Sequence, residues 1–230
     1  MTAPTLERPA RAARRAAAYE EYLALPDDGR IVEWANGEII KHMPPGAPHQ
    51  STVSLLIALM RNYVNRMEFG RVMVAPFEAR LWPDGPSREP DVLFVRRERL
   101  GLLTAKRLEG APDLVVEIIS PTSVTLDRVD KYLEYERAGV SEYWIIDPRP
   151  RQQQADFFAR GEGGRFVSAP VDDDGVYHST VLPGFRLRLD WLTKPEETDA
   201  ERAVAEMLAD APGLNDELRA AYKRISELLG

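Results

Sequence analysis

Two carboxylates and one lysine in this chain have the types and spacing to work on a phosphodiester. Glu117 interrupts an otherwise apolar run, Leu114-Val115-Val116-Glu117-Ile118-Ile119. Such a Val/Ile-rich run marks a strand buried on both faces. A carboxylate inside it must be paired, protonated or bound to a cation, because an isolated buried charge is very costly. Asp91 follows Pro90 at the mouth of a second apolar run, Val92-Leu93-Phe94-Val95, and Lys131 sits in the first turns of the helix after the Glu117 strand. Two carboxylates, helped by the backbone carbonyl beside one of them, suit a hard divalent cation that prefers oxygen. Such a cation polarises a phosphate and lowers the pKa of its water. A lysine beside it can orient that water and stabilise the charge of the transition state.

Each of these residues also has a plainer reading. Asp91 opens a strand, where an exposed acid is common. Lys131 stands four residues after Asp127, an ordinary ion-pair spacing on a helix. Glu33 is a further metal ligand, a water-positioning group or a strand-edge acid. His49 opens a long helix, where it caps or touches phosphate, and no second histidine at metal spacing accompanies it to suggest zinc. Ser120-Pro121-Thr122-Ser123 lacks the glycine-flanked elbow of a serine nucleophile and reads as a helix cap. Asp172-Asp173-Asp174-Gly175 is a solvated turn, since the other oxygen ligands of a calcium loop are absent.

The elements that must position these groups follow from periodicity. Asp113–Ile119, the helix from Leu126 to Ala138 and Glu142–Ile146 form a strand–helix–strand unit. Upstream, the sequence predicts a disordered or loosely helical segment to about residue 15 and a short helix over Ala16–Leu25, closed by Pro26-Asp27-Asp28-Gly29. A hairpin of Arg30–Trp34 and Glu38–His42 turns at Asn36-Gly37. A long helix runs from His49 to Glu68 with Gly70 as its terminator. Strands follow at Arg71–Ala75, at Glu78–Trp82 as its continuation or partner, and at Glu89–Val95. Short β segments over Ala155–Arg160, Arg165–Ala169, Gly175–Ser179 and Arg186–Leu189 would extend or cover one sheet edge. The tail from Glu196 is helical, and its apolar stripe of Leu214, Leu218, Tyr222 and Ile225 suits docking on the body or on a second subunit.

The chain has 230 residues and a formal net charge of −7. That size supports one substantial core with an appendage. Global acidity means that any basic face for nucleic acid must be local. The absence of cysteine excludes disulfides and thiolate metal sites. No apolar run has the length of a membrane span. The Ala/Arg-rich start lacks the apolar centre of a signal peptide, and Glu7, Glu20 and Glu21 argue against a transit peptide. The expected setting is cytoplasmic.

Pro90-Asp91 followed by Glu117-Ile118-Ile119 resembles the motif of the PD-(D/E)XK, or restriction-endonuclease-like, superfamily. The ordered set around it resembles the Uma2 family of endonucleases: Arg30–Trp34 with Asn36-Gly37-Glu38, the Pro44-Pro45-Gly46 loop before His49, Arg88–Val92, Glu109–Pro121, Asp127 and Lys131, Glu142–Pro148, and Leu182-Pro183-Gly184-Phe185. The superfamily lysine two residues after the glutamate is replaced by Ile119. In the resembled family the following helix supplies it, and Lys131 stands where that would be. The resemblance implies an α/β fold with a mixed central sheet flanked by helices over 27–192, between an N-terminal segment (1–26) and a C-terminal helical extension (193–230). It implies a Mg²⁺- or Mn²⁺-dependent DNA endonuclease working as a homodimer. Asp91, Glu117 and the Ile118 carbonyl would hold the metal, Lys131 would assist the water, and Glu33 would be a secondary acid. The competing expectation is a catalytically silent nuclease fold used for binding or assembly. An enzyme needs Asp91, Glu117 and Lys131 to converge in one cleft; a binding module would leave Lys131 in solvent or paired with Asp127.

Overall fold

The computed structural model describes residues 12–26, 28–121 and 123–230. The expectations for residues 1–11, for Asp27 in the first turn and for Thr122 in the helix cap lie outside these residues. The described chain opens with strand β1 (Ala13–Ala16) where the sequence suggests a loose segment. The edge of a hairpin captures it: β1 pairs with β3, Arg14 meets Glu38 at 3.4 Å, and the Trp34 indole donates to the Ala17 carbonyl at 2.9 Å. Helix α1 (Tyr19–Leu23) and the hairpin of β2 (Val32–Ala35) and β3 (Glu38–Lys41) follow, turning at Asn36-Gly37 with φ of 53° and 76°.

Helix α2 (Ala47–Met67) buries Leu55, Leu56, Leu59, Met60, Tyr63 and Val64 along one stripe. Its terminator is Glu68, left-handed at φ 55°, rather than Gly70. Gly70 instead opens β4 (Gly70–Val74), where a Cβ would lie 2.0 Å from the Val95 carbonyl oxygen; close backbone approach is its reason. After β4 the chain crosses to other neighbours. Strand β5 (Glu78–Arg80) is neither continuation nor partner of β4: it pairs with β6 (Ser87–Arg88) and later with β8. Strand β7 (Val92–Arg96) leads to a 3₁₀ turn at Arg97–Leu102, then β8 (Arg107–Glu109) and β9 (Leu114–Ile118). A π-helical turn (Leu126–Lys131) runs into α3 (Tyr132–Ala138), and β10 (Glu142–Asp147) lies parallel to β9. The expected strand–helix–strand unit is therefore present.

The remaining elements are β11 (Gln154–Arg160), β12 (Phe166–Ser168), β13 (Val176–His178), β14 (Arg186–Arg188), α4 (Leu189–Thr193), α5 (Ala200–Ala209) and α6 (Asp216–Leu228). Helices flank mixed sheets, and the strands divide into two six-stranded sheets plus a hairpin. One sheet has the order β1-β3-β2-β6-β5-β8, the other β12-β11-β10-β9-β7-β4, and β13 pairs with β14 alone. The second sheet is covered on both faces. Val92, Phe94, Leu114, Val116, Ile118, Trp144 and Ile146 pack with α2 and α5, whereas Leu93, Val95, Val115, Ile119, Tyr143 and Ile145 pack with Tyr135 of α3. The period of two along each strand sends alternate residues to opposite cores. Helix α5 buries Val204, Met207 and Leu208 in the first of these cores, and α6 buries no residue. Among the described residues no helix is long and apolar enough to cross a membrane.

Candidate active site

Strands β7 and β9 run antiparallel with Val92 opposite Val116. One step further along that register, Asp91 comes opposite Glu117. The Asp91 carboxylate is fixed there by the Ile118 amide, which donates to its Oδ2 at 2.7 Å. The other oxygen lies 3.2 Å from Nε2 of His49, on the first turn of α2. Both side chains are almost fully buried, and Nδ1 of His49 has no hydrogen-bond partner among the described residues.

Glu117 points to the face of β9 that meets α3. Ile119 shares that face by the period of two and is buried in the core there. A lysine at 119 would be replaced in this core by Ile, and the cation arrives from the helix instead. Lys131 Nζ donates to Glu117 Oε1 at 2.8 Å, and the Tyr135 hydroxyl donates to the same oxygen at 2.7 Å. Nζ also lies 3.0 Å from Glu33 and 3.5 Å from Asp127. The Asp127 pairing is thus real but is the longest of the three. The π-helical turn carries Asp127 and Lys131 inward together, and turns of this kind recur at functional sites.

Glu33 stands behind the lysine. It is fully buried, and besides Lys131 it faces His42 Nε2 at 2.9 Å and accepts from Arg88 at 3.0 Å and from the Glu89 amide at 3.1 Å. Arg88 in turn binds Glu134 through two donors, at 2.6 and 2.8 Å. A cavity of about 40 Å³ is lined by Asp91, Glu117, Ile118, Asp127, Lys131, His49, His42 and Glu89. Glu33 is not on its wall.

Charge is distributed unevenly around this cavity. Burial opposes the charge on Lys131, but Glu117, Glu33 and Asp127 hold its pKa well above the usual lysine value. Glu33 is likewise opposed by burial, yet Lys131, His42 and Arg88 keep it well below the usual carboxylate range. Glu117 goes the other way. Burial pushes it well above that range, and the carboxylates of Asp127, Asp91 and Glu33 add to the rise against the pull of Lys131. Asp127 is raised, chiefly by burial. Glu89 is pushed up to about 8 by burial and by Glu33. The site holds more acid than its cations neutralise, and Asp127 Oδ1 is buried without a hydrogen bond among the described residues.

A hard divalent cation fits that donor set. Asp91, Glu117 and Ile118 line one cavity, and its volume is enough for an ion with a few waters. Among the described residues no group of three or more His, Cys, Asp or Glu forms a ready cage. Two carboxylates with a backbone carbonyl are the sparse protein set that suits Mg²⁺, which keeps several waters and takes ligands from substrate phosphate.

Of the residues singled out from sequence, Asp91, Glu117, Ile118 and Lys131 meet around one cavity, and Glu33 touches it through Lys131. Sequence reasoning undervalued His49, Asp127 and Glu89. Period-two spacing of Glu89 from Asp91, and the position of Asp127 one turn before Lys131, were the available signals.

The Uma2 family model, described as "Putative restriction endonuclease", matches residues 19–190. Among solved structures the chain is similar to a "putative nuclease belonging to DUF820" from Anabaena variabilis ATCC 29413. The two share 19% sequence identity with a TM-score of 0.58, over 76% of this chain and 97% of that one. At that identity the likeness is one of fold. No curated protein matches the sequence.

Proposed function

Because the chain belongs to the Uma2 family, described as "Putative restriction endonuclease", we propose that it is a divalent-metal-dependent endonuclease that hydrolyses DNA phosphodiester bonds with water as the nucleophile. The observation that carries this reading is the convergence of Asp91, Glu117 and buried Lys131 on one cavity. Burying a lysine among carboxylates carries a heavy desolvation cost, and titratable groups perturbed in this way cluster at functional sites.

Asp91, Glu117 and the Ile118 carbonyl would hold Mg²⁺ or Mn²⁺. When bound, the cation supplies a polarised phosphate and a water of lowered pKa. The chain's own groups do the rest. Lys131, kept charged by its three carboxylates, orients the attacking water and stabilises the negative charge that builds on the phosphate oxygens. Glu33 acts through Lys131, fixing the position of Nζ from behind. His49 holds the second oxygen of Asp91, and the Ile118 amide holds the first, so the carboxylate is set before a substrate arrives. Residues 27–192 form the nuclease domain in this reading. Two-strand cleavage needs two such sites, which a homodimer would supply, and the cytoplasm is the compartment where DNA is met.

Calorimetric Mn²⁺ titration of the wild type and of Glu117→Ala, followed by plasmid nicking with the same samples, tests the proposal. Stoichiometric binding and metal-dependent nicking are expected for the wild type and absent from the variant. A wild type that binds no metal in the millimolar range and cuts no DNA overturns it.

A further inference from the structure

The catalytic cavity, at about 40 Å³, has room for a cation and a few waters but not for a nucleotide. A second cavity of about 260 Å³ opens directly beside it and shares Asp91, His49, His42 and Ile31 as a common wall. We infer that this second cavity takes one unpaired nucleobase of the substrate strand, next to the scissile phosphate; the inference rests on the nuclease reading of the adjoining site.

Asp91 and His49 line both cavities, so a group held in one lies directly beside a group held in the other. The lining suits a flat, largely apolar ring. Ile31, Met43, Pro44, Val53 and Pro76 give it apolar sides. Gln50, on the exposed part of the first turns of α2, brings an amide able to bond a base edge. Arg30 stands at the rim, with its side chain 71% exposed, where a strand's backbone phosphates would pass. The Pro44-Pro45 loop closes one side and is conformationally restricted, so the cavity has its shape before a ligand enters.

A base held in a duplex stack cannot turn into a concave site beside its own phosphate. It must leave the stack, which costs a few kcal/mol and costs least for a mismatched or single-stranded position. The geometry therefore selects strands with an unpaired nucleotide at the cut site.

The test uses the full chain with Mn²⁺ and three oligonucleotides of one sequence: a perfect duplex, the same duplex with one unpaired nucleotide, and the single strand. Each carries 2-aminopurine at the target position, whose fluorescence rises when the base leaves its stack. Gln50→Trp fills the cavity from an exposed helix position, and Gln50→Ala trims it without adding bulk. The expected result is cutting of the unpaired and single-stranded substrates at least tenfold faster than the duplex, with a rise in fluorescence on binding the unpaired duplex. Gln50→Trp should lose both the preference and the fluorescence rise while its Mn²⁺ titration and melting temperature match the wild type; Gln50→Ala, which removes the amide partner of the base edge, should weaken the preference several-fold without abolishing it. If the wild type cuts duplex and unpaired substrates equally and Gln50→Trp changes nothing, the base site is overturned while the nuclease reading stands. If no substrate is cut with any metal, the nuclease reading falls, and an absent fluorescence change then removes the base site with it.

Discussion

Lys131 Nζ lies 2.8 Å from Oε1 of Glu117, across a strand end and a helical turn that separate the two by 14 residues. The lysine reaches back over the strand, so the cation missing at Ile119 is restored from the helix on the same face of the sheet.

Glu117→Gln should keep the fold and lose the metal. The amide oxygen can still accept from Lys131 and Tyr135, and one of several crowded carboxylates is gone. The melting temperature is expected to hold or rise. Mn²⁺ affinity, read by calorimetry, should fall by more than the roughly 10–100-fold that loss of an outer-shell partner costs a metal site. A variant that binds Mn²⁺ like the wild type would remove Glu117 from the ligand set.

Lys131→Met should separate stability from binding. It leaves Glu33, Glu117 and Asp127 buried without their shared cation, and breaking such an ion pair costs about 3–5 kcal/mol. Below its melting transition the variant should bind Mn²⁺ at least as tightly, since a competing positive charge is gone. Its kcat for nicking should drop by roughly 10²–10³, the usual loss when one preorganised charge-stabilising donor is removed. Weakened metal binding with unchanged kcat would contradict the assigned role.

Metal uptake should release protons. Burial raises Glu117 and Asp127 above their ordinary values of 4.5 and 3.8, and a cation, which needs the ionised form, works against that rise. Mn²⁺ affinity is therefore expected to climb as pH rises above 4.5. Calorimetry in two buffers of different ionisation enthalpy reads the proton count directly, and a count of zero across that range would refute the protonated state.

Glu89 makes a separate contribution to pH dependence. Its carboxyl rises from 4.5 to about 8 on folding, so between those values the folded chain holds a proton that the unfolded chain releases. The stability linked to it is complete below pH 4.5 and is lost as pH climbs through about 8. Glu89→Gln should flatten the fall in melting temperature over that window; an unchanged slope would place the proton elsewhere.

Glu142 supplies a control away from the cleft. Its fully buried carboxylate accepts from the side chains of Trp144, Tyr177, Ser179 and Thr180 and from the amides of Thr180 and Val181. Glu142→Ala strands several buried donors, at about 1–3 kcal/mol each. Denaturation should show a loss of at least ~3 kcal/mol. Mn²⁺ affinity of the folded fraction should not move, and a parallel loss of affinity would show that the two regions are linked.

How much of this was readable beforehand depended on the residue. Glu117 was legible because a charge in a Val/Ile run has few physical explanations. The strand–helix–strand unit and α2 were legible from their periods. The sheet that carries the β2–β3 hairpin was legible only in part: the strand at Glu78 was expected but with other neighbours, and β6 and β8, with 2 and 3 residues, are too short for an alternating pattern to show. Gly70 looked like a helix terminator because its real constraint, the neighbouring Val95 carbonyl, comes from a strand far along the chain. The inward course of Asp127 and Lys131 depends on a π-helical turn, and the pair at helical spacing reads from sequence as a surface ion pair. Resemblance to a family, more than spacing, pointed to the lysine.

Lys131 binds Glu33 of one sheet and Glu117 of the other with a single ammonium group. In the proposed reading the same atom serves as a clasp and as a catalytic charge. A chain whose sheets have not yet come together would then have no seated lysine, so correct assembly would arm the site and unfolding would disarm it without any separate inhibitor.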